Sequence, residues 1–409
     1  MNEKKILDVT KDVKWIGIRD YDIVTFDIVM ETKYGTTYNS YFIDTGKKTI
    51  IETAKAKFQD EYLEKIKKVT NPSDIQYIVL NHTEPDHSGA LSALLELAPD
   101  ATVVGSGNAL RYLEDIVGKP FKNLKVKDGD KLDIGGKTLS FISAPNLHWP
   151  DSIYTYLEED KVLFTCDSFG AHYCTEEMFD DLVDNYDDSF KYYFDVILKP
   201  YSKFMIKAIN KIRPLDINVI ATGHGPVLRS NWKKYVDLSE KYATEYLSEA
   251  TSEKPYVLIT YISAYGYTKQ MAEYIAEGIK EAEPAIGVEL ADIETMSMGD
   301  IDSKLVRSTA LLVGSPTINQ NTLLPVYKLF ALINPLRDKG KLAASFGSYG
   351  WSGEAIGIIE DHLRNLKLKI AEESLAMKFK PDGEKISRLK EFGRNFAGEI
   401  AAGESSKST

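Results

Sequence analysis

Short apolar runs that end in polar residues recur through the first 250 residues of the chain. They are rich in β-branched and aromatic side chains, which predicts buried strands rather than helices. Residues 13–18, 21–29 and 37–43 instead alternate apolar and polar side chains, as half-buried antiparallel strands do. The polar side chains after the apolar runs are expected at strand ends, where a site can assemble. The apolar runs are residues 75–80, 101–104, 139–142, 162–165 and 217–221.

Beyond residue 255, predicted strands and helices alternate regularly. This order is typical of an α/β domain with a doubly wound parallel sheet. Residues 251–255, between the two regions, are polar and end in proline. We therefore predict one domain over residues 1–251 and a second over residues 252–409. The predicted elements of the second domain are strands at 256–262, 287–292, 310–313 and 343–346, and helices at 268–282 and 385–402.

Composition narrows the classes of partner. The 50 Lys and Arg against 61 Asp and Glu give a net charge of −11 without a basic stripe, so we expect no nucleic-acid partner. No run approaches the roughly 18 apolar residues of a membrane helix. The N-terminus also lacks the apolar core of a signal peptide, which predicts a cytoplasmic protein without membrane contact. Cys166 and Cys174 are too few for a disulfide framework or a four-thiolate cluster.

The densest cluster of potential metal ligands directly follows the predicted strand at 75–80. It reads Asn-His-Thr-Glu-Pro-Asp-His and contains His82, Glu84 and Asp86 at a spacing of two. In an extended loop this spacing would aim the three side chains to one side, while His87 could turn toward a second ion. The segment alone offers ligands to two metals.

Three further predicted strand ends carry the same chemistry. They are His148 in Asn-Leu-His-Trp-Pro, Asp167 in Phe-Thr-Cys-Asp-Ser, and His224 in Ala-Thr-Gly-His-Gly-Pro. A single histidine at a strand end usually forms an ordinary hydrogen bond. Here, four of the six histidines in the chain fall in these segments beside three carboxylates. That concentration predicts a dinuclear metal site.

The pattern resembles the metallo-β-lactamase fold family, whose motif reads His-x-His-x-Asp-His and is followed by a later His, an Asp and a final His. The resemblance implies an αββα sandwich for the first domain. Glu84 stands where zinc hydrolases of that family carry histidine, and the extra anionic oxygen favours iron over zinc. The resulting His-x-Glu-x-Asp-His pattern is similar to that of the flavodiiron proteins.

Three loops of the second domain follow predicted strands and carry hydroxyl, glycine and aromatic residues. The first loop leads into a helix, so its backbone amides and hydroxyls can bind a phosphate. Gly266 has no side chain and lets the phosphate approach the backbone closely. An ordinary helix N-cap is the alternative. The order of the loops resembles that of the three FMN-binding loops of flavodoxin-like domains, with Tyr349 or Trp351 able to stack on the flavin. The candidate FMN ligands are Ser263, Ala264, Tyr265, Gly266, Tyr267, Thr268, Ser315, Pro316, Thr317, Ile318, Asn319, Ser348, Tyr349, Gly350, Trp351, Ser352 and Gly353.

Both motif sets in this order resemble an A-type flavodiiron protein over nearly the whole chain. The resemblance implies FMN and two non-haem irons as cofactors. It also implies an oxidoreductase that reduces O2 to water with four electrons, NO to N2O, or both. The implied iron ligands form two sets joined by a bridge: His82, Glu84 and His148 for one iron, Asp86, His87 and His224 for the other, and Asp167 between them.

The same resemblance implies a head-to-tail homodimer, or a tetramer, in which the flavin of one subunit serves the irons of another. Two cysteines cannot supply the four ligands of a fused rubredoxin domain. Electrons must therefore come from an external donor, for which the family offers rubredoxin or reduced coenzyme F420.

His172 and Tyr193 are candidate catalytic residues, because each could donate a proton near the irons. A plain hydrogen bond for His172 and a core position for Tyr193 are the alternatives. A dinuclear zinc hydrolase with an attached flavodoxin-like domain is a rival function, against which Glu84 and the three flavin loops argue. An electron carrier or redox sensor with a structural metal site is a second rival.

Overall fold

The computed structural model describes residues 5–26, 30–250 and 255–405. It divides into two units, Met1–Glu245 and Tyr246–Thr409, which we call the N-terminal domain and the C-terminal domain. The predicted boundary near residue 252 falls at residues 251–254, outside the described residues, and stays a prediction. Among the described residues, no helix is both long and apolar enough to span a membrane.

Two mixed sheets form the centre of the N-terminal domain. The first contains seven strands in the order Leu7–Asp8, Val13–Trp15, Tyr41–Ile43, Lys48–Ile51, Ile75–Val79, Thr102–Gly105 and Asn123–Lys125. The second contains five strands in the order Lys131–Asp133, Thr138–Ser143, Ile153–Leu157, Val162–Cys166 and Val219–Thr222. Two short antiparallel pairs join Ile18–Asp20 with Thr36–Tyr38 and Thr25–Phe26 with Met30–Glu31.

Alternation along the strands separates an inner core from outer layers. Val162 and Phe164 share the inner core with Val79 and Val104 of the first sheet, whereas Leu163 belongs to an outer layer. Because successive side chains of a strand point to opposite faces, helices have to cover the outer faces. The result is the αββα sandwich that the resemblance to the metallo-β-lactamase fold family implied. The helices are Gln59–Val69, Pro85–Ser88, Leu91–Leu97, Gly107–Val117, Asp187–Tyr193, Ser202–Ile212 and Trp232–Ala250, with 3₁₀ turns at Ala56–Phe58, Pro72–Asp74 and Lys199–Tyr201 and a π turn at Phe194–Leu198. The helix Trp232–Ala250 continues past Glu245, where the first unit ends.

The single strand predicted over residues 37–43 is interrupted in the structure. Thr36–Tyr38 pairs with Ile18–Asp20, whereas Tyr41–Ile43 joins the first sheet. Asn39 lies at the break, and its Nδ2 donates to the carbonyl oxygens of Thr222 and Gly225 at 2.9 and 3.0 Å. These hydrogen bonds attach the break to the loop that carries His224.

A parallel sheet flanked by helices forms the C-terminal domain. Numbered along the chain, its strands lie in the order 2-1-3-4-5, which is the flavodoxin-like arrangement. Separate core clusters cover the two faces of the sheet, as a doubly wound fold requires. The strands, in sheet order, are Gly287–Asp292, Tyr256–Tyr261, Ala310–Gly314, Leu342–Tyr349 and Lys369–Ile370, with Leu375–Lys378 pairing to the end of Leu342–Tyr349. The helices are Tyr267–Ala282, Met298–Arg307, Leu324–Leu332, Pro335–Asp338, Glu354–Asn365 and Gly383–Ser405.

Candidate metal centre and flavin loops

The ligand segment after strand Ile75–Val79 is not extended throughout, which corrects the prediction from its spacing. Pro85 occupies the first turn of the helix Pro85–Ser88, and Glu84 is the N-cap. Proline is well accommodated there, because the first N–H groups of a helix have no intrahelical partner. The turn places Asp86 and His87 in a second ligand group, away from His82 and Glu84.

The first ligand group contains His82, Glu84, His148 and Asp167. Oε2 of Glu84 lies 3.2 Å from Nε2 of His82 and 2.9 Å from Nε2 of His148. Oδ2 of Asp167 lies 3.4 Å from the same His148 nitrogen. Two imidazoles and two carboxylates from three separate chain segments therefore converge on one point.

The second ligand group contains Asp86, His87 and His224. Oδ2 of Asp86 lies 3.1 Å from Nε2 of His224 and 3.3 Å from Nε2 of His87. Oδ1 of Asp167 lies 3.1 Å from Nε2 of His87 and 3.4 Å from Nε2 of His224. Each carboxylate oxygen of Asp167 thus faces a different group, which is the geometry of a bridging ligand.

Both carboxylate oxygens of Asp86 and Oδ2 of Asp167 are buried without an aligned hydrogen bond from any described residue. Oδ2 of Asp86 is within ion-pair distance of His224, but the two atoms are not oriented toward each other as donor and acceptor. Buried polar atoms are normally paired, and an unpaired cluster of this kind calls for a bound cation. The donor set fits two metal ions that accept nitrogen and oxygen ligands.

Burial opposes a charge on these side chains, but the opposite charges around them outweigh it. Despite burial, the charge of His87 and the neighbouring His148 and His224 hold the pKa of Asp167 well below its usual range. Burial also disfavours protonated His148 and His224, yet the adjacent carboxylates raise their pKa values to about 9 and about 10. A metal has to displace these protons, so metal affinity should fall in acid.

Two groups that sequence reasoning missed orient the histidines. Nδ1 of His224 lies 2.6 Å from the carbonyl oxygen of Thr37, which only accepts, so Nδ1 carries the proton and Nε2 is free for a metal. Nδ1 of His82 lies 3.2 Å from Oδ1 of Asp151, a carboxylate that also accepts from the backbone N of Thr83 at 2.8 Å. Asp151 stands three residues after His148, and this proximity to a predicted ligand could have indicated it from the sequence. The carbonyl of Thr37 is a backbone group, so no residue type in the sequence could have indicated it.

His172 and Tyr193 lie beside the second ligand group. Their ring centroids are 4.8 Å apart, and the ring of His172 lies 5.4 Å from that of His224. Nδ1 of His172 contacts Oγ1 of Thr36 at 2.8 Å, while Nε2 of His172 and the hydroxyl of Tyr193 are buried without a hydrogen-bond partner among the described residues. The ring of Phe26 lies 4.4 Å from that of His172, centroid to centroid, on the same side of the ligand group. Burial, reinforced by His224, holds the pKa of His172 well below its usual range, so this imidazole is neutral at pH 7.

The first flavin loop of the C-terminal domain leads from strand Tyr256–Tyr261 into helix Tyr267–Ala282. Gly266 is the N-cap at φ 80°, a left-handed conformation that favours glycine. The hydroxyl of Ser263 accepts a hydrogen bond from the backbone N of Lys269 at 3.2 Å. This hydrogen bond holds the loop beside the N-terminus of the helix. Tyr265 is 79% exposed and is available to a ligand.

The three predicted flavin loops meet at Ser348. Its hydroxyl contacts Oγ1 of Thr268 from the first loop at 3.0 Å, and its carbonyl oxygen accepts from the backbone N of Thr317 in the second loop at 2.9 Å. Ser315 is buried and donates to the carbonyl of Pro316, so its hydroxyl braces the loop. Trp351 is 80% exposed, as a side chain that stacks on a ligand requires. Of the remaining predicted residues, Tyr267 begins the helix Tyr267–Ala282 and Tyr349 ends the strand Leu342–Tyr349, while the others lie on the loops after the strands.

The two domains match two known families. The model described as ODP family beta lactamase covers residues 36–225, and the flavodoxin model covers residues 259–392. The chain is 42% identical to the flavo-diiron protein FprA2 of Clostridium acetobutylicum, over 94% of this chain and 97% of the relative. It is 36% identical to the anaerobic nitric oxide reductase flavorubredoxin of Shigella dysenteriae, over 95% of this chain and 81% of the relative. Among solved structures, the rubredoxin oxygen:oxidoreductase of Desulfovibrio gigas matches with a TM-score of 0.72 and 28% identity, over 97% and 99% of the two chains.

A metallo-β-lactamase-like domain with a two-group ligand centre, followed by a flavodoxin-like domain, defines a two-domain metalloflavoprotein. With a 42% identical flavo-diiron relative covered almost end to end, the chain belongs to the flavodiiron protein family. It is an oxidoreductase, and its family cofactors are FMN and a non-haem diiron centre. The zinc-hydrolase alternative is not favoured.

Proposed function

We propose that the chain reduces O2 to water with four electrons, NO to N2O, or both, at a diiron site supplied with electrons by FMN. The observation that carries the proposal is Asp167, whose two carboxylate oxygens face different ligand groups. Two metal ions held side by side by this carboxylate would supply Lewis-acid and redox chemistry at one place. The names of the relatives supply both substrates, since one is a nitric oxide reductase and the other an oxygen oxidoreductase.

We assign one iron to His82, Glu84 and His148, the other to Asp86, His87 and His224, and the bridge to Asp167. Support comes from the distances within the two groups and from the buried carboxylate oxygens without aligned donors. The three carboxylates suit iron better than zinc, because hard oxygen ligands stabilise its ferric state. Asp151 and the carbonyl of Thr37 would hold His82 and His224 in the tautomer that binds metal.

When bound, two ferrous ions and reduced FMN together hold the four electrons that reduction of O2 to water consumes. We propose that His172 and Tyr193 each hold a proton for the reaction of the gas, His172 on Nε2 and Tyr193 on its hydroxyl. Both atoms are buried beside the second ligand group and lack competing partners among the described residues. Phe26 would keep bulk water away from this side of the ligand group.

We propose that FMN binds at the three loops that meet at Ser348. The phosphate would occupy the N-terminus of helix Tyr267–Ala282, where backbone amides point outward. The flavin ring would lie between the second and third loops, with Trp351 or Tyr349 against its face. The proposed ligands are Ser263, Ala264, Tyr265, Gly266, Tyr267, Thr268, Ser315, Pro316, Thr317, Ile318, Asn319, Ser348, Tyr349, Gly350, Trp351, Ser352 and Gly353.

The electron donor and the assembly are also proposals. Rubredoxin is supported by the name of the Desulfovibrio gigas relative, and reduced coenzyme F420 is the alternative donor. We propose a head-to-tail homodimer, or a tetramer, because the family cofactors belong to two different domains. A cytoplasmic location follows from the sequence prediction.

Gas consumption tests the proposed function. Purified protein with two irons and one FMN per chain is reduced through an artificial mediator, and O2 and NO are followed on electrodes. We expect rapid loss of at least one gas with little peroxide, and no consumption by an Asp167→Ala variant. If iron-loaded, FMN-replete protein consumes neither gas, the proposed function is wrong.

A further inference from the structure

Glu52 is a buried carboxylate that the proposed ligand assignment does not use. It follows strand Lys48–Ile51 and is only 2% exposed. Its Oε1 accepts from the backbone N of Asn81 at 2.9 Å, whereas its Oε2 is buried without a hydrogen-bond partner among the described residues. An unpaired buried carboxylate oxygen is unfavourable, so the oxygen needs a donor.

The donor that suits this oxygen is His87, because the thiol of Cys166, the other group beside it, is only a weak donor. Glu52, His87 and Cys166 each place a potential ligand atom within 4.8 Å of the others. Nε2 of His87 faces Asp86 and Asp167 at 3.3 and 3.1 Å. Nδ1 of His87 is therefore the ring nitrogen left for Glu52, and it too is buried without a partner among the residues described.

The backbone holds Glu52 in this position at an energetic cost. Its φ of 58° lies in the left-handed region, which residues other than glycine rarely occupy. The strain is offset because its N donates to the carbonyl of Val79 at 2.9 Å and its carbonyl accepts from the hydroxyl of Ser40 at 2.8 Å. The constraint keeps the carboxylate turned into the protein.

The residue after Glu52 fixes the backbone of His87. The carbonyl oxygen of His87 accepts from both the N and the Oγ1 of Thr53, at 2.8 and 2.6 Å. Gly223 limits the ring from another side, because a Cβ there would lie 2.9 Å from Cε1 of His87. Residues 52–53 thus anchor the main chain of His87 and present a carboxylate to its ring.

We propose that Glu52 is a positioning residue that holds His87 as a ligand of the second iron by accepting the proton of Nδ1. The proposal rests on the diiron function proposed above. A histidine that binds metal through Nε2 keeps its proton on Nδ1, and a carboxylate acceptor fixes the ring and makes Nε2 more basic. The thiol of Cys166 is a much weaker acceptor. Glu52 therefore determines whether His87 reaches the metal.

Iron binding by full-length FMN-loaded variants tests the proposal. Glu52→Gln presents no charge to His87, whereas Glu52→Asp retains the charge one methylene farther back. We expect Glu52→Gln to weaken binding of the second iron about 10- to 100-fold, with Glu52→Asp in between. Glu61→Gln is the matched control, since Glu61 pairs with Lys65 at 2.9 Å and belongs to none of the ligand groups found among the described residues. Thermal unfolding of each variant shows that it is folded.

A His87→Ala background separates positioning from a general structural role. If Glu52 acts through His87, Glu52→Asp changes iron affinity in the unmodified protein and has no further effect in His87→Ala. Nitrogen-15 spectra of the zinc-loaded protein should show the proton of His87 on Nδ1, and lose that signature in Glu52→Gln.

Two outcomes overturn the proposal. One is a folded Glu52→Gln protein that binds the second iron as tightly as the unmodified chain. The other is an equal loss from Glu52→Asp in both backgrounds, a comparison that decides the question even if Glu52→Gln does not fold. Failure of the unmodified protein to bind two irons would instead contradict the proposed diiron function.

Discussion

The metal centre and the flavin loops both lie at strand ends, but the first is built from buried charged side chains and the second from loop backbone. Asp167 is 2% exposed and surrounded by opposite charges, whereas Trp351 is 80% exposed on a loop. A buried charge needs specific partners at fixed positions, while a phosphate cradle depends on backbone amides and close approach. Single side chains should therefore control the metal centre, and backbone shape should control the flavin loops.

Asp167→Ala should have the largest effect and should act on one region alone. It removes an oxygen ligand from each of the two groups at once. We expect loss of both irons, with FMN content unchanged. Iron analysis and flavin absorbance measure the two regions separately, with the exposed Asp216→Asn as control. Loss of FMN together with iron would contradict the separation.

Asp338→Asn tests whether a buried charge in the C-terminal domain serves stability rather than binding. Its carboxylate accepts from Nε and Nη2 of Arg337 at 2.9 and 2.7 Å and pairs with Lys341 at 2.9 Å. Removing one partner of a buried ion pair costs about 3–5 kcal/mol. We expect that loss in denaturant unfolding of the C-terminal domain, with normal iron content.

The same cluster predicts a pH dependence. Burial opposes the ionised Asp338, but Arg337 and Lys341 lower its pKa below the ordinary 3.8. A carboxylate with a lowered native pKa contributes its full stabilisation above the ordinary pKa and loses it as pH falls through the native pKa. Unfolding of the unmodified chain should become easier below about pH 4, and Asp338→Asn should flatten that part of the curve. An unchanged acid limb in the variant would contradict this.

Gly347→Ala alters backbone shape in the flavin region without removing a functional group. A Cβ at this position would collide with the carbonyl oxygen of Ser315 in the second loop. We expect about 1–3 kcal/mol of destabilisation and weaker FMN binding. Gly357→Ala is the control, because nothing described lies within 4 Å of its added Cβ, and alanine in a helix should stabilise by about 1 kcal/mol.

Trp351→Ala should give the smallest effect. Aromatic stacking contributes about 0.5–1.5 kcal/mol beyond area burial, so we expect FMN affinity to fall about 2- to 12-fold by fluorescence titration. Leu324→Ala, also exposed and in the same domain, should leave it unchanged. If Trp351→Ala abolished FMN binding as completely as Asp167→Ala is expected to abolish iron binding, the contrast between the two regions would be wrong.

Much of the architecture was predictable because periodicity and motif order are local properties of the chain. Apolar runs predicted the strands of the first domain, and strand-helix alternation predicted the doubly wound sheet of the second. The family resemblances implied the αββα sandwich and the flavodoxin-like fold, and both were confirmed. The extended ligand segment was predicted wrongly, because the spacing of His82, Glu84 and Asp86 was interpreted as that of an extended loop, whereas Pro85 starts a helix. The assignment of individual ligands stays a prediction, although the structure brings all seven residues into two adjacent groups.

The sequence by itself determined the chemistry: which side chains can bind metal, which loops follow strands, and that Glu84 shifts the donor set toward oxygen. Only the tertiary structure decided how these groups are held. Asp151, the carbonyl of Thr37 and Glu52 face histidines from distant parts of the chain. The physical reason is that a buried polar group pairs with a partner that is close to it in space. The positions of the two residues in the sequence do not indicate which groups will be close.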